Sequence, residues 1–482
     1  MATVRPIRQE MAAVPWRSGP QARPFLGDLL VGSGALRPEA LEAALARQRD
    51  QDAPLGRILL VEGRISNDAL VEALSRQARL GRIDLAAEPP DPELALGADP
   101  RTCLRLDAIP WRRRGGRKVV AIANPAQGAA VIEAFAGDRE PVALAIAPAE
   151  AIREAIASQF GRRMVETAEQ RCPSDLSCRD LFGGGLTRRK ALAFVAAGAA
   201  LTLAPLLVLT AALVLALGAN LATTVLRLFA LFARFRGGAP QTETEAPAIA
   251  SWRRRPSVSL LVPLKGEAAM AAQILGVLGR MDYPAPLLDI KLVLEAEDVA
   301  TREALLAAGL PPTVDIVTVP RGSIQTKPRA LNYALPFCRG EIVGVYDAED
   351  LPDPGQIRAV VHHFSNAPED VACVQGYLDF YNERDGWLAR CFTIEYAVWF
   401  RIVLHGIQRL GLPIPLGGTT LFFRRAVLER IGCWDAHNVT EDADLGMRLA
   451  RFGYRCEMLP TTTREEANAS SVARWIGQRS RW

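Results

Sequence analysis

The chain has 482 residues, 49% of them hydrophobic and 23% charged, with a formal net charge of +4. That length allows about three or four domains. The apolar content excludes a chain disordered overall, and the small net charge excludes a nucleic-acid partner gathered by a global field. Eight cysteines lie without paired spacing; Cys172 and Cys178 lack the second pair that a zinc site needs, so reduced cytosolic thiols are expected. Arg5 and Arg8 precede no apolar h-region, which excludes a signal peptide. Residues 1–24 are expected to form a disordered N-terminus.

Residues 25–48 and 54–77 repeat at an offset of 29: Leu26, Gly27, Gly34, Leu41, Leu45 and Gln48 recur as Leu55, Gly56, Gly63, Leu70, Leu74 and Gln77. Each copy predicts two short helices, the second carrying leucines at i and i+4 on one buried face. Ser66 with Ala69 gives only half of a capping box. Residues 85–161 predict a small α+β unit: two strands around Gly115–Gly116, a third at "PVALAIAP", and a helix ending on Gly161. A linker is expected over 162–188.

From Ala191 to Leu226 there is no charged residue. The stretch suits two crossings of about 20 residues each, and Pro205 sits where a turn would begin. Arg188, Arg189 and Lys190 precede it and Arg227, Arg234 and Arg236 follow it, so both flanks read as cytoplasmic. A transmembrane helical hairpin over 189–236 is the expectation; one long tilted helix or a buried helix pair is the alternative. Residues 237–256 read as a polar linker.

From Val258 onward four apolar runs, "VSLLVPL", "DIKLVLE", "VDIVTVP" and "EIVGVYD", alternate with helical stretches. That pattern predicts a parallel sheet covered on both faces, with ligands at the carboxyl ends of its strands. Acids stand at those ends: Glu295 and Glu297, then Asp347, Glu349 and Asp350. Asp347 and Glu349, two apart, are placed to hold a divalent ion against phosphate oxygens; a solvated acidic loop is the plainer reading. In "VTEDADLGMRLARFGY" Thr440 is expected to cap a helix whose first turn carries Asp442, either as plain capping or as a general base. The final stretch would place Gln478, Arg481 and Trp482 on one helix face, where a guanidinium and an indole suit a phosphorylated sugar; a cationic surface helix is the alternative.

Two resemblances follow from these residues. Residues 25–161 resemble the MshEN-type N-terminal domain of type II secretion and type IV pilus ATPases. That resemblance implies cyclic di-GMP binding through Leu26, Gly27 and Gln48 with Leu55, Gly56 and Gln77. Where the family opens each motif with arginine, this chain has Phe25 and Pro54, and a structural or partner-docking domain is the other reading. The ATPase itself is excluded: no G-x-x-x-x-G-K-[ST] occurs, and "GGGLTRRK" has the wrong order.

Asp347-x-Glu349, Thr440-Glu441-Asp442 and Gln478-x-x-Arg481-Trp482, in that order, resemble the processive family 2 glycosyltransferases, relatives of cellulose and hyaluronan synthases, over about residues 256–482. "VPLKGE", "TKPRALNYAL" and "GGTTLFFRR" fit as well. Glu349 stands where the family usually has Asp, and Lys265–Gly266 where it has an aromatic and Asn. The resemblance implies a GT-A, Rossmann-like α/β domain over 257–482 in a multidomain chain. It implies inverting transfer from a UDP-linked sugar to a growing exopolysaccharide, with Mg²⁺ or Mn²⁺ on Asp347 and Glu349 and Asp442 as base. Pro263, Glu267, Glu295, Lys327, Asn332 and Arg481 would hold the donor; Glu441, Gln478, Trp482 and Gly418 would face a polysaccharide or glycolipid acceptor. It also implies a multi-pass protein of a bacterial inner membrane with its catalytic domain cytoplasmic, and a partner for export or envelope assembly. A non-processive transferase acting on a lipid or surface carrier and a cyclic di-GMP-sensing scaffold are the alternatives. In the family further membrane helices follow the last motif, so a sequence ending on Trp482 is expected to be cut short.

Overall fold

The computed structural model describes residues 24–136, 140–180, 188–236 and 255–467, with positions 472, 475 and 476. The expected disordered N-terminus (save Pro24), most of the 237–256 linker, and Gln478, Arg481 and Trp482 lie outside the described residues.

The chain opens with helices α1 (Leu26–Gly32), α2 (Pro38–Gln51), α3 (Leu55–Val61) and α4 (Asn67–Ala78). Helix α1 lies against α4, and α2 against α3. Ser66 Oγ caps α4, accepting from Ala69 N at 3.2 Å. Short helices α5 (Pro92–Leu96) and α6 (Pro100–Arg105) follow, begun by Asp91 and Asp99. Next come β1 (Ala108–Arg114), β2 (Arg117–Ile122), α7 (Gly128–Phe135), β3 (Val142–Ile146) and α8 (Ala149–Glu169). Strands β1 and β2 form an antiparallel hairpin turned by Gly115 (φ 56°) and Gly116 (φ 72°), and β3 adds parallel to β2.

Helix α8 corrects two expectations. It does not stop at Gly161 but runs eight residues further, and 162–180 is not a free linker. A Cβ on Gly161 would sit 3.4 Å from Pro320 Cγ, so this glycine marks a close approach between helix and downstream domain rather than a helix end. Beyond it, Glu169 accepts from Ser323 N at 2.7 Å, and Asp435 accepts from Ser177 Oγ and Cys178 N, each at 2.8 Å. Hydrophobic clusters run unbroken from both N-terminal units into the C-terminal sheet.

Helices α9 (Arg188–Leu203) and α10 (Pro205–Arg236) carry the apolar segment. The expected hairpin at Pro205 is not formed. Ala204 N still donates to Ala200 O at 2.9 Å and Val208 N to Ala204 O at 3.1 Å, so helical bonding passes through the junction. Proline there removes one bond, tolerated at a helix start. Among the described residues one helix, Pro205–Arg236, has the length and mean hydropathy (2.2) to cross a membrane. Its 32 residues span about 48 Å.

The C-terminal part contains β4 (Val258–Leu264), α11 (Ala271–Leu278), β5 (Leu288–Glu295), α12 (Val299–Ala308), β6 (Val314–Val319), α13 (Lys327–Ala334), β7 (Ile342–Val345), β8 (Leu351–Pro352), α14 (Gln356–Asn366), β9 (Val371–Phe380), α15 (Trp387–Val398), a π-turn at Trp399–Val403, α16 (Leu404–Arg409), β10 (Leu421–Arg424), α17 (Arg425–Arg430), α18 (Glu441–Arg451) and β11 (Arg455–Glu465). The sheet order is β6-β5-β4-β7-β10-β9-β11-β8. Strands β6, β5, β4 and β7 are parallel, as the apolar runs predict; β10 is antiparallel to both neighbours. The strand order reverses between β4 and β7, so a crevice opens at their carboxyl ends. The end of α10 packs on α16, where a Cβ on Gly406 would lie 2.1 Å from Ala230 O; Arg409 Nη1 donates to Ala233 O at 3.0 Å, capping the last turn.

Candidate functional site

The crevice between β4 and β7 collects the acids. After β4 the chain turns at Gly266 (φ 74°), whose N–H donates to Asp298 Oδ2 at 2.7 Å, and this delivers Glu267 to the rim. After β7 comes Asp347. Its N–H donates to Asp350 Oδ2 at 2.7 Å and to Thr419 Oγ1 at 3.1 Å, and that hydroxyl donates to Asp350. Lys327 opens α13, and its Nζ donates to the Asp347 carboxylate and to Gly418 O at 2.9 Å. A Cβ on Gly418 would sit 3.6 Å from Asp442 Oδ2, so the strand-end backbone that accepts from Lys327 also faces the first turn of α18. Asp347, Lys327, Gly418, Glu441 and Asp442, spread over more than a hundred residues of sequence, therefore share one site.

Thr440 precedes α18 but does not cap it. Its Oγ1 and N both donate to Asn438 Oδ1, at 3.1 and 3.0 Å, because the Asn438 side chain supplies the local turn. Leu445 and Leu449 on the inner face of α18 are fully buried, whereas Phe452, just past its end, is 45% exposed.

The electrostatics are lopsided. Burial, with Lys327 opposing it and Asp442 adding repulsion, raises Glu441 to about 7. Burial raises Asp442 too, against the N–H groups of its helix start. Loss of water raises Glu349, and Asp347 and Glu267 add to it. Buried Asp350 is pushed well up by loss of water and by Asp347. Lys327 goes the other way: burial disfavours its charge, but Asp347, Glu441 and Asp350 hold it protonated. Among the described residues one ammonium thus faces a crowd of carboxylates. Asp350 Oδ1 is buried with no hydrogen-bond partner among the described residues. A donor set of hard oxygens with excess negative charge suits a divalent cation of the Mg²⁺ or Mn²⁺ kind, and Lys327 already places a cation on Asp347. Among the described residues no ready-made group of three or more ligating side chains is formed.

The other expected donor residues divide. Pro263 lies in β4 opposite Val293 of β5. Glu295 ends β5 at the correct edge, with one oxygen held by the buried Arg329, which also donates to Pro320 O at 3.0 Å. Asn332 is corrected from donor ligand to structural clasp. It is 1% exposed; its amide donates to Trp434 O at 2.7 Å and Ala168 O at 3.0 Å, and its Oδ1 accepts from Trp434 N at 3.2 Å. Both ends of the side chain are used, leaving nothing for a nucleotide.

In the N-terminal helices Gly27 and Gly56 are packing positions. A Cβ on Gly27 would meet Leu41 Cδ1 at 2.6 Å, and one on Gly56 would meet Leu70 Cδ1 at 2.9 Å, with Leu26 close by. Gln77 Nε2 donates to Pro24 O at 3.0 Å. Leu55 opens α3 and Gln48 lies in the last turn of α2. Arg57 Nη2 donates to Leu288 O at 3.1 Å, tying this region to the sheet.

Two residues escape sequence reasoning. Thr419 joins Asp347 to Asp350, and Glu465, at the end of β11, is held well above the carboxylate range by burial and by Asp350, Asp347 and Glu349. The "GGTT" next to β10 hints at the first. Glu465 reaches the site through parallel pairing of β11 with β9, which spacing alone does not reveal.

Residues 256–482 match the family described as Glycosyltransferase like family 2, and residues 78–166 the MshEN domain. The second match begins at 78, so helices α1 to α4 lie before it save for the last residue of α4. A probable glycosyltransferase of Bacillus subtilis, YdaM, is 26% identical over 267 residues, 54% of this chain and 62% of that protein. The beta-monoglucosyldiacylglycerol synthase of Trichormus variabilis is 30% identical over 234 residues, 47% of this chain and 48% of its own length. The chain therefore spans less than two thirds of these relatives. A solved structure described as MshE with cdg overlaps 29% of this chain and 100% of its own, at 27% identity and a TM-score of 0.27. The chain carries a family 2-like glycosyltransferase domain over residues 256–482, joined to an MshEN domain over residues 78–166.

Proposed function

We propose that this chain is a membrane-bound inverting glycosyltransferase that moves a sugar from a nucleoside diphosphate, UDP-linked, to an acceptor hydroxyl. The observation that carries the reading is the convergence of Asp347, Lys327, Gly418 and Asp442 at the β4–β7 switch point. Asp347 and Glu349 would hold Mg²⁺ or Mn²⁺, which when bound supplies positive charge for a diphosphate. Lys327, kept protonated, donates to phosphate oxygens as negative charge builds on the leaving group. Asp442 accepts the acceptor's hydroxyl proton, and the freed oxygen attacks the anomeric carbon opposite the leaving diphosphate, inverting it. Glu441 and Gly418 border the acceptor side; Pro263, Glu267 and Glu295 line the donor side. Arg481, Gln478 and Trp482 keep their expected parts in this proposal.

Placement at a bacterial inner membrane rests on α10, outward-facing along its most apolar window, and on exposed Trp387, Ile394 and Val398 on α15 nearby. Residues 24–180 and 255–467 are docked to each other, an arrangement that a single crossing by α10 does not permit, so α10 is proposed here as the membrane contact rather than as a lone span. The acceptor was expected to be a growing exopolysaccharide. A lipid acceptor is the second reading, favoured by the 30% identity to a beta-monoglucosyldiacylglycerol synthase; product length separates the two. For the N-terminal domain, the packed glycines and the engaged Gln77 favour docking on the transferase domain over cyclic di-GMP binding. The test is release of UDP from UDP-sugars by membranes containing the protein, with and without chelator. Divalent-dependent release supports the proposal; no release from any nucleotide sugar overturns it.

A further inference from the structure

A crevice of about 280 Å³ lies where the MshEN domain meets the transferase domain, with α6 and α8 on one wall and α13 on the other. Arg101, Arg163 and Arg171 line it, against one carboxylate, Asp99. That carboxylate is engaged: it accepts from Arg101 N, Thr102 N and Thr102 Oγ1 at 3.4, 3.0 and 2.9 Å.

One feature marks the crevice as built for a ligand. The Arg171 side chain is 7% exposed, yet its oxygen contacts among the described residues are long, 3.5 Å to Asn332 O and 3.9 Å to Glu429, and its further partner is the Cys433 thiol, a weak acceptor. A buried guanidinium normally has close oxygen acceptors for its five donors. That deficit is for a partner rich in acceptor oxygens. Tyr333, 1% exposed, also lines the crevice.

We propose that this junction is a second anion site, taking a diphosphate group held by Arg101, Arg163 and Arg171. Arginine forks match phosphate oxygens two at a time. The volume is just under the usual range of about 300–1,000 Å³ for small-molecule sites, which suits a diphosphate or the phosphate end of a mononucleotide. Tyr333 stands on the same helix as Lys327, six residues or about 9 Å along it. A ligand in the junction therefore bears on the helix that presents the catalytic ammonium.

The experiment titrates the full chain in detergent, in EDTA, with inorganic pyrophosphate, UDP and uridine, followed by calorimetry. Saturable pyrophosphate binding is expected, weakened at least tenfold in Arg101→Ser/Arg163→Ser, two exposed positions whose change leaves the core intact. Asp347→Asn is expected to leave it unchanged, which separates this site from the transfer site whatever becomes of the transferase reading. Equal binding of pyrophosphate and UDP with none of uridine assigns recognition to the diphosphate; much tighter UDP binding with the same arginine dependence assigns a nucleoside diphosphate as the source. No saturable binding, affinity unchanged by the double variant, or loss of binding in Asp347→Asn overturns the proposal.

Discussion

The same parallel strands carry two clusters of charge, one at each end, and they are built on opposite principles. At the amino ends, Asp289 is 3% exposed and fully matched: Lys291 lies 2.9 Å away, Arg339 Nη2 donates at 2.7 Å, and Ser259 Oγ donates at 2.8 Å. Burial opposes its charge, yet Lys291 and Arg339 hold it well below the carboxylate range. At the carboxyl ends, Lys327 is the one cation among the described residues that meets Asp347, Glu349, Asp350, Glu441 and Asp442, and four of those acids are pushed upward. Charges placed for structure are compensated in place. Charges left uncompensated at a switch point mark where a cationic or phosphorylated partner belongs.

The largest effect expected from this contrast is at Asp347. Asp347→Asn should lower sugar transfer by about 10³-fold, the scale of a lost electrostatic stabiliser, while chemical denaturation shows stability unchanged or raised, because repulsion is relieved. The matched cluster should behave in reverse. Asp289→Asn strands Lys291 and Arg339 and should cost about 3–5 kcal/mol of folding stability in denaturant melts. Next is Asn332→Ala. Losing buried amide contacts to Trp434 and Ala168 should cost about 1–3 kcal/mol, with the KM for donor unchanged; a raised KM without a stability loss would return Asn332 to the donor site. The smallest effect is on pH dependence. The folded state holds the Glu441 proton more tightly than the unfolded chain does, so stability is full below the ordinary value of 4.5 and falls as pH rises to about 7. Glu441→Gln should flatten that slope in thermal melts of metal-free protein between pH 4.5 and 7.

The four parallel strands and the acids at their ends were legible because continuous apolar runs and strand-end carboxylates are local signals. Asn332 was legible as a motif residue, but its role was not, since Trp434 and Ala168 are remote in sequence. Pro205 was over-read: a proline at a helix start permits a turn without forcing one, and helical bonds from Ala204 and Val208 carry the segment through. The docking of 162–180 on the transferase domain was hidden because Glu169, Ser177 and Cys178 look like solvated linker until Ser323 and Asp435 are beside them. Glu465 reaches the site only through the long parallel pairing of β11 with β9.

The measurement that bears most directly on the central claim is turnover by Asp442→Asn beside the unsubstituted protein, with donor binding followed in parallel. The account predicts a fall of about 10²–10⁴-fold in transfer, the range for a positioned general base, with donor affinity kept. Equal turnover would contradict it and remove Asp442 as the base.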